Sequence, residues 1–379
     1  PPRNRTLFPY TTLFRSELVT QFSSYVDEQF STESKKSMLT NQDFGWDGAH
    51  SVKIYKATTA KMNDYDRAGT GANASRYGKI ESVSATTEEM MLKRDRSFTV
   101  VTDALDENET KGVLGSATML ARQIREVVIP EVDTYTYGVM CAEAGHKPAA
   151  VKLTEENIYT EMLKGSEALD NSEVPETGRI LMLTPETYTM LKKCKDVIME
   201  TDIGNELRLL GVLAMLDGCK VIKVPANRVP AGFGFMIAHP CATVAPTKLE
   251  SYMVHHNPPG ISGYLLEGRV CYDAFVLDNK ASALYYQAMA ADGLTVASTA
   301  GSASGKTKIT VTPDKAESNS YRYKVDVAVP AIGEDCSSWS EWDGSADIAA
   351  ANGSTLVVAE VDSNGMAVKA GSVAVTAKA

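Results

Sequence analysis

Gly301-Ser-Ala-Ser-Gly305-Lys306-Thr307 has the look of a phosphate-binding loop. Such a loop needs four residues between its glycines and a helix after them, whose first amides and dipole hold the phosphate. Here three residues separate the glycines, Ala300 stands where the first glycine belongs, and Lys308-Ile-Thr-Val-Thr312 follows with the alternation of a strand. The string reads as a flexible connection. Gly69-Thr-Gly71-Ala-Asn-Ala74 matches a dinucleotide fingerprint loosely, but it neither follows an apolar strand nor opens a helix. The five histidines (His50, His146, His239, His255, His256) have no H-x-x-x-H or H-E-x-x-H spacing. The adjacent pair His255-His256 would point to opposite faces of a strand, a poor arrangement for one metal. The six cysteines form no C-x-x-C pair, so neither a disulfide framework nor a zinc site is expected, and each reads as a small buried hydrophobe in a reducing compartment. A G-x-S-x-G elbow is missing, and Glu155-Glu156 suits the first turn of a helix, where carboxylates favour the dipole. The expectation is a protein that is not an enzyme and has no cofactor.

Chemistry of this kind needs elements to position it, and the elements point elsewhere. The 379 residues suffice for two or three domains, and 44% hydrophobic with 23% charged residues is an ordinary globular composition. No apolar run of about 18 residues is present to span a membrane. The formal net charge of −10 disfavours a general nucleic-acid binder acting by counterion release. At the N-terminus, Thr6-Leu-Phe-Pro-Tyr-Thr-Thr-Leu-Phe-Arg-Ser16 resembles one reading frame of a sequencing adapter. Residues 1–16 therefore read as an assembly artefact, with the authentic chain starting upstream of or near Glu17 and no signal peptide expected.

Residues 17–44 carry scattered apolar side chains at the spacing of an arm or short amphipathic helix ending before Asn41. Ser51–Ala57 alternates as a strand, Lys61–Lys79 is a polar excursion, and Glu89–Val101 returns as one alternating stretch. The result is an extended flap. Val113, Ala117, Leu120, Ile124 and Val127 mark a helix whose stripe should pack in a core, with Pro130 expected to kink or break it. A further helix runs from after Thr154 to about Leu169, and another begins at Thr184-Pro185-Glu186, where a cap, a first-position proline and an acid coincide. Strands at Ile180–Leu183, Lys220–Val224 and Phe235–Ala238 alternate with these helices as an α/β core. Tyr264–Leu277 adds strand material before an Ala-rich close at 281–290. Beyond Asp292, short alternating strands at Lys308–Thr312, Tyr321–Val327, Leu356–Val361 and Met366–Ala377 predict a small β-sandwich with Trp339 and Trp342 in its core.

Several strings resemble tailed-bacteriophage major capsid proteins of the Hong-Kong-97-type fold. They are Met62-Asn-Asp-Tyr-Asp-Arg67, Arg76-Tyr-Gly78, Lys93-Arg-Asp-Arg-Ser-Phe98, Ala121-Arg-Gln-Ile-Arg-Glu-Val-Val-Ile-Pro-Glu-Val-Asp-Thr-Tyr135, Val174-Pro-Glu-Thr-Gly-Arg179 and Arg269-Val-Cys-Tyr-Asp-Ala-Phe275. The resemblance covers roughly 17–290 and implies an α+β capsid fold. Residues 17–50 would be the N-terminal arm and 51–290 the capsid domain. Within that domain the resemblance places an extended loop at 51–101, a spine helix at 112–143, an axial domain at 148–250 and a peripheral return at 251–290. A linker at 291–306 would lead to an Ig-like β-sandwich at 307–379, similar to small β-domains on some capsid proteins, a likeness that includes Trp339-Ser-Glu-Trp-Asp-Gly344.

The function so implied is self-assembly, through pentamers and hexamers of the chain itself, into an icosahedral shell around viral DNA. Portal and scaffolding or protease proteins would be assembly partners, packaged DNA would be met without sequence-specific binding, and no membrane would be involved. The location would be the virion, assembled in the bacterial cytoplasm. Asp64, Tyr65, Arg67, Arg76, Tyr77, Asp95 and Arg96 are the candidate inter-subunit contacts, because Arg forks reach carboxylates and Tyr adds contact area at low entropy cost. An encapsulin-like nanocompartment shell is the alternative within the fold, and a cell-surface binding protein with a β-sandwich module is a second of a different class.

Overall fold

The computed structural model describes residues 33–41, 43, 51–57, 60–68, 76–78, 82, 85–105, 116–194 and 215–378. The adapter-like residues 1–16 and most of the expected arm lie outside the described residues. What is described of the arm is a single turn, α1 (Lys36–Leu39), whose Leu39 is fully buried in the main core. Next, β1 (Ser51–Ala57) and β2 (Ala85–Met91) form an antiparallel ribbon, with Ser51 opposite Met91 and Ala57 opposite Ala85.

The alternation expected to run unbroken through Glu89–Val101 is divided. After Met91 the chain turns at Leu92-Lys93, and β3 (Arg94–Asp103) enters a different sheet. Of the kink or break expected at Pro130, the break does not occur: the spine is continuous. Helix α2 (Ser116–Gln123) passes through a π turn (Ile124–Val128) into α3 (Ile129–Ala142). In the π turn the Ile129 N–H donates to the Ile124 carbonyl, five residues back, so the ladder is already widened where Pro130 supplies no donor. A π turn holds one extra residue and rotates the faces after it by about 100°. The stripe expected to lie in the core is therefore not continued in phase: Val127 is 46% exposed, while Asp133, Thr136, Tyr137, Met140 and Cys141 form the buried face of α3.

Helix α4 (Ile158–Asn171) precedes β4 (Ile180–Leu183), and α5 (Pro185–Lys193) follows it. The α5 cap forms as its residues predict: the Thr184 side chain accepts from the Thr187 N–H and the Thr187 side chain returns the bond to the Thr184 N–H. Then come β5 (Met215–Leu216), β6 (Cys219–Lys223), β7 (Phe233–Ala238), β8 (Thr243–Val244), β9 (Thr247–His256), β10 (Gly263–Tyr272), β11 (Phe275–Val276) and β12 (Leu284–Ala288). Five strands make the central sheet in the order β12-β7-β4-β6-β5. All four residues of β4 and all six of β7 are buried, the continuous apolar run of strands covered on both faces. Tyr137 and Met140 of α3, Ile158 and Met162 of α4, and Leu191 of α5 complete that core. The Ala-rich close is thus strand β12 at the edge of the central sheet, not a companion of β9 and β10. Those two pair with β3 in the order β3-β10-β9.

The C-terminal part is a sandwich of two antiparallel sheets. One holds β13 (Thr295–Ala300), β14 (Lys306–Thr312) and β17 (Ile348–Ala349). The other runs in the order β16 (Ser340–Trp342), β15 (Ser320–Val325), β18 (Thr355–Val361), β19 (Ala367–Ala374). The stretch 291–306, expected as a linker, contains β13, paired with β14 along its whole length. Its serines and threonines are polar, but their alternation with Val296 is that of a half-buried strand. Trp342 and Trp339 are buried, the first between the sheets and the second in a separate cluster with Val357, Ala359 and Val361. Strand β18 is thus apolar on both sides: the segment after β15 folds back over its outer face.

That same segment seats the sandwich on the part that holds the central sheet. Ala291 N–H donates to Pro330 O at 2.8 Å, Ile332 N–H to Met289 O at 3.1 Å, and Met289 N–H to Gly232 O at 2.7 Å. Lys152 and Asp292 form an ion pair beside these bonds. Gly232 sits at φ +71°, and a Cβ there would lie 2.5 Å from the Ile332 carbonyl oxygen.

Gly232→Val is expected to open this seam, at an overpacking cost of about 1–3 kcal/mol. Limited proteolysis should then release a C-terminal fragment faster than from the wild type. Acid should weaken the sandwich itself. Asp335, Asp343 and Asp347 are held below their ordinary value of 3.8, chiefly by hydrogen bonds from Ser337, the Ala346 N–H and Ser302 respectively. Carboxyls depressed in the folded state add stability that is complete above the unfolded value and lost as pH falls through the folded one. Calorimetry should therefore show a melting temperature that drops as pH goes below 3.8, with a shallower drop in Asp343→Ala.

Candidate subunit-contact surfaces

The ribbon of β1 and β2 and the sheet of β3 meet the spine at a buried carboxylate. Asp273, just after β10, is 2% exposed. Its Oδ2 accepts from the Lys93 N–H at 2.7 Å, and its Oδ1 accepts from the Tyr135 hydroxyl at 2.7 Å and the Ala274 N–H at 2.8 Å. One side chain thus fixes the bend between β2 and β3, the end of β10 and the face of α3. Around it, the Arg94 guanidinium lies 4.5 Å from the centre of the Tyr135 ring, and Tyr135 meets Tyr272 edge-on at 5.7 Å. Burial pushes both hydroxyls up, Tyr272 to about 12 with help from the nearby Glu131.

The alternation of β3 distributes its charges over two faces. Arg96 donates through Nε to Glu131 Oε1 of α3 at 2.7 Å, and the Tyr272 hydroxyl donates to the same oxygen at 3.2 Å. Asp95, on the opposite face, receives a two-pronged contact from Arg269 of β10, Nε at 3.0 Å and Nη2 at 2.6 Å. That contact holds the Asp95 carboxyl below its ordinary value. Both predicted contact residues are therefore engaged within the chain, although their side chains stay open to solvent, 47% for Asp95 and 60% for Arg96. On the spine side, Phe98 folds its ring over Gly268: a Cβ at Gly268 would lie 2.2 Å from it. Between this strand and the helix runs a cleft of about 150 Å³ lined by Phe98, Val127, Val128, Val132 and Val270.

The other five predicted residues gather at the far end of the ribbon. The Asp66 N–H donates to the Arg76 carbonyl at 2.9 Å, which closes the excursion on itself. The rings of Tyr65 and Tyr77 then meet edge-on at 5.1 Å. Asp64, Arg67 and Arg76 are exposed beside them, as are Met62 at 98% and Tyr77 at 77%. Large side chains so uncovered form an apolar and charged end suited to another surface. Close to the excursion, where β1 ends, Lys56 bridges Glu88 at 3.0 Å and also contacts Asp278.

The arm is tied down separately. Asp133 of α3 accepts from the Ser34 hydroxyl at 2.6 Å and pairs with buried Arg228 at 2.9 Å. Sequence reasoning did not single out Asp273, Glu131, Arg269 or Asp133. A carboxylate directly after an apolar strand, as in Tyr272-Asp273-Ala274, was the available signal for the first. Among the described residues no group of three His, Cys, Asp or Glu could hold a metal, and no helix is long and apolar enough to cross a membrane.

Solved structures similar in fold include three phage structures. A structure of Mycobacterium phage Che8 shares 15% identity at a TM-score of 0.55, over 72% of this chain and 98% of that one. The asymmetric unit of the bacteriophage PhiM1 mature capsid shares 14% at 0.54, over 71% and 91%. The capsid structure of the Cyanophage P-SCSP1u shares 12% at 0.57, over 72% and 93%. Among curated proteins none matches this chain in sequence. Residues 299–378 match the family model of the S-layer protein SbsC C-terminal domain. The chain therefore has the fold of a phage capsid subunit, α+β as the sequence resemblance implied. To that fold it adds a β-sandwich similar to an S-layer domain.

Asp273→Ala should leave the Lys93 and Ala274 amides unsatisfied, at a cost of about 1–3 kcal/mol in chemical denaturation. Hydrogen exchange should accelerate at the residues of β2 and at the turn 92–94 while the central sheet keeps its protection.

Proposed function

We propose that this protein is the major capsid protein of a tailed bacteriophage, a structural subunit that assembles with copies of itself into the icosahedral shell around the viral DNA. The observation that carries this reading is the capsid fold over some 72% of the chain, spanning more than nine-tenths of the capsid chains it matches. A shell needs many moderate contacts that close by symmetry, so that weak interfaces sum to a stable cage. The ribbon end with Asp64, Tyr65, Arg67, Arg76 and Tyr77 supplies one such contact, reaching over the neighbouring subunit. Asp95 and Arg96 supply a second: already paired within the chain, they extend their charge pattern across the boundary without a new unpaired charge. The formal charge of −10 keeps the subunit soluble at high concentration and limits adhesion to DNA packed beside it. Portal and scaffolding or protease proteins are the partners during assembly in the host cytoplasm, and pentamers and hexamers are the intermediates.

The test is negative-stain electron microscopy with light scattering on the purified full chain, alone and co-expressed with a scaffolding protein. Closed shells or five- and six-fold capsomers are expected; a monomer under every condition would overturn the reading. The double variant Tyr65→Ala, Tyr77→Ala should melt within about 0.5 kcal/mol of the wild type, since both side chains are exposed, yet fail to close shells.

A further inference from the structure

Strand β18 carries one carboxylate that packing alone does not explain. Glu360 is 1% exposed, flanked on its strand by Ala359 and Val361. Its Oε1 accepts from the Asn319 side-chain amide at 2.7 Å and from the Ala316 N–H at 3.0 Å. Its Oε2 is buried without a hydrogen-bond partner. The group facing that oxygen is the Lys369 ammonium, 3.8 Å away on β19, directly across the strand pair from Glu360. Meanwhile the Ser318 hydroxyl lies 3.2 Å from the Asn319 side-chain carbonyl oxygen, in position to donate to it. The order β15-β18-β19 thus sets a carboxamide on one side of a buried carboxylate and an amine on the other.

A buried acid of this kind is ordinarily a satisfied anchor for a turn, and the bonds from Ala316 and Asn319 fit that role. The open second oxygen and the lysine facing it do not. An amine nucleophile, a proton acceptor between it and the electrophile, and a donor on the carbonyl where negative charge would develop are the parts of an acyl transfer. Asn319 directly precedes β15, and Glu360 and Lys369 face each other on β18 and β19, so both groups are held against the same carboxylate and their reaction would be unimolecular.

We propose that Lys369 and Asn319 become joined by an intramolecular isopeptide bond, with Glu360 as the proton carrier. Glu360 takes a proton from the Lys369 ammonium through Oε2. The freed Nζ lone pair attacks Asn319 Cγ, the carbonyl electrons moving onto Oδ1 beside the Ser318 hydroxyl. As the carbonyl re-forms, the Cγ–Nδ2 bond breaks, and Nδ2 leaves as ammonia with one proton delivered by Glu360. The second proton lost by Nζ passes to solvent. No oxidant, cofactor or energy source is required, and the product is an amide linking the residue just before β15 to β19 across β18. The inference is independent of the capsid reading, since it concerns the sandwich alone.

Intact mass spectrometry of the purified full chain decides it. The expected result is a mass lighter by one ammonia than the sequence, with a protease digest yielding a branched peptide that joins the segments of Asn319 and Lys369. Lys369→Ala and Asn319→Ala should restore the full mass, and because each removes a partner of buried Glu360, circular dichroism checks that the sandwich stays folded. Glu360→Gln should also restore it, with far-ultraviolet circular dichroism showing whether the sandwich stays folded. An unreduced wild-type mass, simple deamidation of Asn319, or an ammonia loss that persists in Lys369→Ala would each overturn the proposal.

Discussion

A single buried carboxylate, Asp273, sets the geometry on which the capsid-like part depends. A carboxyl group at 2% exposure is costly unless its oxygens are hydrogen-bonded, and here three donors reach them. Those donors come from three elements: the bend after β2, the end of β10 and the face of α3. The acid cannot be satisfied unless all three arrive together. The direction of the ribbon, the placement of the β3-β10-β9 sheet and the rotation of the spine are thereby fixed as one arrangement.

The spine's π turn belongs to the same arrangement. By adding a residue before Pro130 it turns α3 so that Tyr135 faces Asp273 while Tyr137 and Met140 face the central core. Without that rotation the apolar stripe of α2 would continue past the proline, and the polar contacts of Glu131 and Tyr135 would point elsewhere. Proline here acts through the helix's phase, not by ending it.

Much of the fold was legible because local chemistry decided it. The cap at Thr184 with Pro185, the fully apolar runs of β4 and β7, and the separation of His255 toward Glu267 from His256 toward Tyr264 all follow from neighbours in sequence. What escaped was decided at long range. The alternation through Glu89–Val101 has no internal break; the break is made by Asp273, 180 residues away from Lys93. The polar run of 295–300 becomes a strand only because β14 stands beside it. Of the candidate contacts, exposure at the ribbon end was readable from composition, whereas the partners of Asp95 and Arg96 depended on a register between β3 and β10 and on the rotation of α3.

The hairpin turn at 302–305 lies at the end of the sandwich away from the seam at Ala291 and Ile332, and all four of its residues are exposed. Its backbone is held near Ala350 and Lys378, so the strands on either side keep their register without help from the turn's own side chains. Lengthening such a turn costs little, because the entropy of closing a loop grows only with the logarithm of its length. A foreign peptide spliced there would stand at the tip of the sandwich, clear of the seam, and leave the strands beneath it paired. That turn is a natural place for an epitope or a tether.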